Sequence, residues 1–158
     1  MYDLNLKVYV DGSFKGNLCR GAYVVLDRGN PIIARQVLVT DKDLITSRNV
    51  TGELFAASTA ISDIASSIGG DLKVEVVLYH DYKGIADFIT GKFQASKLVS
   101  VVYQQTVLSV LKQNPNITLK FVKVKGHSGN KWNDVVDVLA GGGIPNSVQD
   151  VIIEKVIY

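Results

Sequence analysis

The sequence has a single cysteine and no long hydrophobic run, and both absences narrow what the protein can be. Cys19 is alone among 158 residues, which excludes an internal disulfide and a cysteine-rich zinc site. No run of about 18 apolar residues occurs, and the first residues lack a charged region followed by an apolar one. We therefore expect a cytoplasmic protein with no membrane partner, and we favour a monomer although the sequence leaves the oligomeric state open.

Strong net charge is also missing. The chain has 17 basic and 15 acidic residues, and a net charge of +2 is too small to identify a nucleic-acid-binding protein by itself. An apolar content of 47% is enough to bury a sizeable core in one domain. We predict one domain over residues 1–143 and a C-terminal tail, 144–158, whose apolar pattern fits neither a helix nor a strand cleanly.

Hydrophobic periodicity predicts an α/β fold. Segments rich in Val, Ile and Tyr alternate with turn residues, whereas other segments repeat apolar residues every three or four positions. The predicted strands are 6–12, 21–29, 31–39, 72–80 and 117–125, and the predicted helices are 51–68, 82–90, 96–113 and 132–140. This order predicts a five-stranded mixed sheet, with an antiparallel meander first and helices on both faces.

Three carboxylates lie where predicted strands end or helices begin, and each has a local structural explanation. Asp11 is predicted to end the first strand, where an Asp-Gly pair commonly forms a turn. Glu53 is predicted in the first turn of a long helix, where its charge suits the helix dipole. Asp81 follows a strand and suits a helix N-cap. His80, beside it, is expected to point to the other face of the sheet and to be structural.

The joint placement of these carboxylates predicts a metal site. Strand ends and helix starts in α/β proteins meet at one edge of the sheet, where ligands bind. Oxygen ligands alone favour hard divalent cations such as Mg²⁺ or Mn²⁺. Two such ions, about 3.5–4 Å apart, can activate water and stabilise the leaving oxygen in phosphodiester cleavage.

The chain resembles ribonuclease H of type 1 through short motifs that follow the family's order along nearly the whole sequence. These motifs are Val10-Asp11-Gly12-Ser13, Gly16-Asn17, Gly21-Ala22-Tyr23, Arg48 to Leu54, Asp81, Gly126-His127-Ser128-Gly129, Asn133 and Asp137 to Ala140. The resemblance implies a ribonuclease H-like fold with residues 1–143 as the catalytic domain. It also implies an endoribonuclease that hydrolyses the RNA strand of RNA–DNA hybrids with two metal ions.

The resemblance also assigns roles to individual residues. It implies that two Mg²⁺ or Mn²⁺ ions are held by four carboxylates, Asp11, Glu53, Asp81 and Asp137. His127 would lie in a loop that assists proton movement or product release. In the family pattern the fourth acid lies ten positions after this histidine, four after an Asn or Glu that flanks the metals, and directly before x-Leu-Ala. Asp137 fits with Asn133 as the flanking residue, so Asp134 is interpreted as a charge at the helix start.

Substrate contacts are predicted less specifically. Asn17, Asn49 and Thr51 lie at or near family positions that contact 2′-hydroxyls across the minor groove, although each also suits a turn or a cap. Asn133 is the fourth predicted substrate-binding residue.

Basic residues are also expected to help hold the hybrid. The sequence offers two interpretations of four lysines: they give a local positive field around the His127 loop, or they lie on a solvated edge strand. These lysines are Lys120, Lys123, Lys125 and Lys131. The link 90–96 is too short for the basic protrusion of some family members, and Lys92 with Phe93 is a candidate substitute.

Two other functions stay open at this point. One is a non-catalytic nucleic-acid-binding module of the same fold, but clustered acids repel one another and have no physical reason to persist without a cation. The other is a different nuclease of the same fold, such as a junction resolvase or a 3′-exonuclease. A glycosidase also uses paired carboxylates, but no aromatic sugar platform is evident.

Overall fold

The computed structural model describes residues 1–45, 47–125 and 129–158, without the side chain of Asn49. The strands are β1 (Leu4–Lys15), β2 (Leu18–Asp27), β3 (Asn30–Val39), β4 (Val74–His80), β5 (Ile117–Lys123) and β6 (Val156–Ile157). The helices are α1 (Asn49–Ser67), α2 (Gly84–Thr90), α3 (Leu98–Gln113) and α4 (Lys131–Ala140), followed by a short 3-10 helix at Asn146–Val148. None of the helices in these described ranges is long and apolar enough to cross a membrane.

The strands form one mixed sheet in the order β5-β4-β1-β2-β3-β6. The meander β1-β2-β3 is antiparallel, whereas β4 pairs with β1 and with β5 in parallel. The predicted mixed α/β sheet is confirmed, but the predicted count of five strands is wrong. The sixth strand, β6, comes from the tail and pairs in parallel with β3. A strand of two residues is too short to show an alternating pattern in the sequence.

Each face of the sheet packs against different helices because alternate strand residues point to opposite faces. Val8 and Val10 of β1 lie in one core with α1 and α3, which contribute Leu54 and Tyr103. Tyr9, between the two valines, lies in a second core that packs against α4. The sheet therefore separates the residues of α1 from those of α4 everywhere except at its edge.

Helix α1 lies unusually close to the sheet at two glycines. A methyl group at Gly21 of β2 would lie 2.1 Å from the carbonyl oxygen of Gly52, and one at Gly52 would lie 1.9 Å from the carbonyl oxygen of Arg20. No side chain fits between these backbones, so glycine is required on both sides of the contact. The next residue of α1 is Glu53, which is thereby brought against the sheet.

Strand β1 is longer than the sequence predicts and reaches Lys15. The hairpin to β2 turns at Gly16 and Asn17, which both have positive φ angles, 57° and 62°. Such angles match the right-handed twist of two strands joined by a tight turn. The parallel partner β4 is shorter, and its last pair with β1 is Tyr9 with Tyr79. The edge formed where β4 stops is the place that the predicted metal-binding carboxylates approach.

Candidate active site

Asp11 lies within β1 and not at its end, so its predicted place at the strand terminus and the turn interpretation are both wrong. It pairs with Ala22 across the hairpin, two residues beyond the last parallel pair with β4. Its Oδ1 accepts a hydrogen bond from the backbone N–H of Gly12 at 2.8 Å. Because β4 has already ended, the half-buried side chain projects into a gap beside the sheet.

Glu53 lies on α1 and is buried, with 4% of its surface exposed. Its Oε2 accepts hydrogen bonds from the backbone N–H groups of Asp81 at 3.1 Å and Tyr82 at 3.0 Å. The helix begins at Asn49 and has no acidic residue in its first turn, so the predicted dipole role of Glu53 is wrong. The carboxylate instead joins α1 to the backbone that follows β4.

Asp81 directly follows β4 and has an exposed side chain. Helix α2 begins at Gly84, after Lys83, and among the described residues no side chain caps it. The N-cap interpretation of Asp81 is therefore wrong. Its backbone holds Glu53 while its side chain is free of a helix terminus and faces the same edge of the sheet.

Asp137 reaches this edge from α4. Its side chain is exposed and lies near enough to Asp11 to raise the pKa of that carboxyl, after the larger effect of burial. The helix is held at its start by Asn130, whose side chain accepts hydrogen bonds from the N–H groups of Trp132 at 2.9 Å and Asn133 at 3.3 Å. Asp134 lies in the first turn of α4, as the sequence predicts.

The carboxylates of β1, of Asp81 after β4 and of α4 share one cavity of about 200 Å³. Its lining residues are Val10, Asp11, Gly12, Asp81, Val124, Lys125, Asn133, Asp134, Val136 and Asp137. Asp134 therefore lines the same cavity as Asp137 in addition to lying at the helix start. Sequence reasoning gave no cavity role to Asp134, although helical spacing places residues three apart on one side.

The electrostatics of the site are dominated by burial and by repulsion between acids. Burial raises the pKa of Asp11 to about 7. The hydrogen bond from the Gly12 N–H opposes this shift, whereas the neighbouring Asp137 and the charge of Asp81 add to it. Burial also raises the pKa of Glu53 to about 8, and the charges of Asp11 and Asp81 add to it. The hydrogen bonds from the Tyr82 and Asp81 backbone oppose this shift of the Glu53 pKa.

These donors suit a hard divalent cation by their chemistry. All four are carboxylates, and a cation between them would offset the repulsion that adds to the effect of burial on the Asp11 and Glu53 pKa values. Across residues 1–45, 47–125 and 129–158, however, no three His, Cys, Asp or Glu side chains are grouped closely enough to hold a metal ion as they stand. The acids approach one another in pairs, Asp11 with Asp137 and Glu53 with the backbone of Asp81.

Other predicted residues fall in different places. His127, and the side chain of Asn49, lie outside the described residues. Asn17 is exposed at the hairpin turn. Thr51 is fully buried, and its hydroxyl contacts the carbonyl of Leu44 at 3.4 Å and the N–H of Ser47 at 3.2 Å. The structure thus ties the Thr51 side chain to the segment before α1 and does not expose it to a substrate.

The lysines of the predicted positive field also lie in different places. Lys125 lines the cavity, whereas Lys120 forms an ion pair with Glu75 at 2.7 Å. The ammonium group of Lys131 lies 4.8 Å from the centre of the Trp132 ring. Only part of the predicted positive field therefore faces the carboxylates.

His80 is buried and does not line the cavity, which agrees with its structural interpretation. Its Nδ1 lies 2.8 Å from the carbonyl oxygen of Tyr82, and its ring meets that of Phe121 edge to face. Burial lowers the pKa of His80, so the neutral imidazole is favoured.

A second cavity of about 140 Å³ lies on the α1 side of the sheet. It is lined by Ser47, Val50, Tyr82, Phe88, Gln94, Ser96, Lys97 and Ser100. The first turns of α1 and α3 meet here, neither contains an acidic residue, and no side chain of the described residues caps either helix. Sequence reasoning missed this cavity because it depends on how two distant helix starts pack together.

The RNase H family model matches residues 3–144. Ribonuclease H of Verminephrobacter eiseniae is 27% identical over 151 residues, which cover 90% of this chain and 92% of that protein.

Solved structures show the same fold. RNase H1 from Halobacterium salinarum superposes with a TM-score of 0.67 at 16% identity, covering 87% of this chain and 95% of that one. LC11-RNase H1, solved in complex with an RNA/DNA hybrid and isolated from compost by a metagenomic approach, has a TM-score of 0.67 at 19% identity, covering 88% and 96%. The predicted ribonuclease H-like fold is confirmed. Because the family model spans nearly the whole chain, the protein belongs to the RNase H family.

Proposed function

We propose that the protein is an endoribonuclease that hydrolyses the RNA strand of RNA–DNA hybrids with two divalent metal ions. One observation carries this proposal: β1, α1 and the residue after β4 each bring one carboxylate to the same edge of the sheet, and α4 brings Asp137 and Asp134. Family membership supports ribonuclease H activity, and a structural relative has been solved with a hybrid bound.

The residues that would hold the ions are Asp11, Glu53, Asp81 and Asp137. When bound, Mg²⁺ or Mn²⁺ would supply Lewis acidity for the phosphate and for an attacking water. The chain's own contribution is to fix the donors: two backbone N–H groups orient Glu53, and the Gly12 N–H orients Asp11. Lys125 and Asn133 line the same cavity and are proposed to face the substrate backbone.

The second cavity is proposed to take a backbone phosphate of the hybrid. The starts of two long helices lie beside it, and Lys97 adds a positive charge. Free N–H groups at helix starts favour anions. This cavity offers a way to hold the hybrid without a basic protrusion. The alternative, Lys92 with Phe93, is less favoured because Phe93 packs edge to face on Phe88 with ring centres 5.6 Å apart.

Several finer predictions remain proposals. They comprise the loop role of His127, substrate contacts by Asn17 and Asn49, a catalytic domain over residues 1–143, and a cytoplasmic monomer.

The proposal is tested with a labelled RNA–DNA hybrid incubated with Mg²⁺ or Mn²⁺, comparing the native chain with Asp81→Asn. We expect the native chain to cut the RNA strand internally and the variant to lose at least about 10²-fold in rate. Duplex DNA, duplex RNA and a four-way junction serve as control substrates. Equal cleavage of the hybrid by both proteins, or by neither, contradicts the proposal, and preferential cleavage of junctions would indicate a resolvase.

A further inference from the structure

The segment after α4 returns across the sheet to the opposite face and contacts α1. Ile152 forms a parallel bridge with Ala34 of β3, and β6 then pairs with the same strand. Val148 is fully buried against the core of the α4 face. The family model ends at residue 144, so residues 151–158, which we call the strap, lie beyond the part that matches the family.

Tyr158 joins the strap directly to α1. Its ring packs on Phe55 with centres 4.6 Å apart, and its hydroxyl lies 2.5 Å from that of Thr59, which is buried. Phe55 and Thr59 are four residues apart and therefore lie on one face of the helix. Phe55 is two residues from Glu53, so Tyr158 contacts the same part of α1 that carries a predicted metal ligand.

Arg35 makes a second connection between the strap and α1. Its Nε donates to the carbonyl oxygen of Glu154 at 2.8 Å, and its Nη1 lies 2.9 Å from Asp63 Oδ2. Asp63 also accepts a hydrogen bond from Tyr23. Because Asp63 lies four residues after Thr59, the strap is connected along one continuous face of α1.

The backbone of Tyr158 also fixes the segment that leads into α1. Its main-chain oxygen accepts hydrogen bonds from the N–H of Thr40 at 2.6 Å, the hydroxyl of Thr40 at 2.9 Å and the N–H of Asp41 at 3.2 Å. Residues 40 and 41 follow β3 and begin the connection to Asn49. A single residue thus contacts both the start of this connection and the second turn of the helix.

We propose that Tyr158 is a positioning residue that sets the place of Glu53 by holding α1 against the sheet. This inference rests on the proposed function, since it assigns a consequence to the position of Glu53. Its physical reason is that catalysis by fixed groups is sensitive to small displacements, and a shift of about 1 Å can cost on the order of 10²-fold in rate. Tyr158 acts through α1 and does not contact the cavity of the carboxylates.

The test compares Tyr158→Ala, Tyr158→Phe and the control Ile157→Ala, which changes the neighbouring residue of the strap, 59% exposed. All are assayed at a temperature at which circular dichroism shows each to be fully folded. We expect Tyr158→Ala to lower kcat on the hybrid about tenfold with KM changed less than about twofold. Tyr158→Phe keeps the ring on Phe55 and should lose about threefold in kcat, and the control should match the native chain.

Amide hydrogen exchange provides a readout that does not depend on activity. Tyr158→Ala should increase exchange in residues 49–56 about tenfold while β1 and β4 exchange as in the native chain. A uniform increase throughout the chain, or faster exchange in α1 with kcat unchanged, would overturn the proposal. If the native chain does not cleave hybrids, the proposed function fails, whereas the exchange pattern still decides whether the strap holds α1.

Discussion

The two sides of the sheet present their carboxylates to the site in different ways. On the α1 side, Glu53 is buried and held by two backbone N–H groups, next to the close contact between Gly21 and Gly52. On the α4 side, Asp137 is exposed on a helix of ten residues that is capped by Asn130. One carboxylate is therefore fixed by the fold, whereas the other is open to substrate and solvent.

This difference indicates separate tasks for the two sides. A buried acid held by the backbone keeps a constant position, but its burial disfavours the charged form that binds a cation. An exposed acid is open to substrate, but its position depends on its helix. Asp11 lies between them, half-buried and in contact with Asp137. We expect mutations on the two sides to differ in their effects on stability as well as on activity.

The largest effect is expected on the buried side. Glu53→Gln keeps an oxygen that can accept from the Asp81 and Tyr82 N–H groups but removes the charge. We expect hybrid cleavage to fall by about 10³-fold or more while the fold is kept, because a neutral amide is a poor ligand for Mg²⁺. Single-turnover cleavage measures the loss. Glu75→Gln is the matched control. It changes an acid of β4 that is paired with Lys120 of β5, and the variant should cleave normally.

The next largest effect is expected on α4, where Asp134 and Asp137 line the same cavity. Asp137→Asn is expected to lower cleavage about 10²-fold, and Asp134→Asn less than about tenfold, because Asp137 is the acid of α4 that interacts with the Asp11 carboxyl. The ratio of kcat values on one hybrid measures the difference. If Asp134→Asn proves the more damaging, the assignment of the fourth ligand on α4 is wrong.

A smaller effect is expected at the second cavity. Lys97→Ala removes a charge beside the starts of α1 and α3, and we expect KM for the hybrid to rise about fivefold with kcat nearly unchanged. The increase should shrink at high salt, since screening weakens the contribution of the lysine. Lys112→Ala, in the last turn of α3, is the control. An unchanged KM would show that this cavity does not hold the hybrid.

The smallest effect is on stability as a function of pH. Burial raises the pKa of Glu53 to about 8 from its usual 4.5, so the folded chain keeps a proton that the unfolded chain releases. The contribution of Glu53 to the free energy of unfolding is therefore greatest below about pH 4.5. It falls as the pH rises toward 8, by up to about 1.4 kcal/mol per pH unit. Glu53→Gln should remove this part of the slope in urea unfolding measured with EDTA present. An identical slope in both proteins would contradict the burial of a protonated Glu53.

Much of the fold was predictable because most strands and helices carry a clear hydrophobic period. The core strands and α1, α3 and α4 follow it, whereas the pairing of β6 with β3 does not, since Val156 and Ile157 are too few to form a pattern. The close contact of Gly21 with Gly52 was also invisible to periodicity. Both features depend on which distant segments meet in three dimensions.

The site, like the fold, was predictable where local sequence was enough and unpredictable where distant segments meet. Asp11, Glu53 and Asp81 were each identified, yet the turn, dipole and N-cap explanations for them were wrong, because each depended on an element boundary. Boundaries shift by a few residues with tertiary contacts, as when β1 continues past Asp11 along its hairpin partner β2. The shared cavity of Asp134 and Lys125 required the packing of α4 against β1, which no local pattern specifies.

The central claim, that paired carboxylates hold two divalent ions for hydrolysis of a hybrid, is tested most directly by the dependence of the cleavage rate on Mg²⁺ concentration. The native chain is incubated with a labelled hybrid from EDTA alone up to saturating Mg²⁺. We predict no cleavage in EDTA and a rate that rises more steeply than the first power of the Mg²⁺ concentration before it saturates. Cleavage of the RNA strand in EDTA at the rate seen with Mg²⁺ would contradict the account.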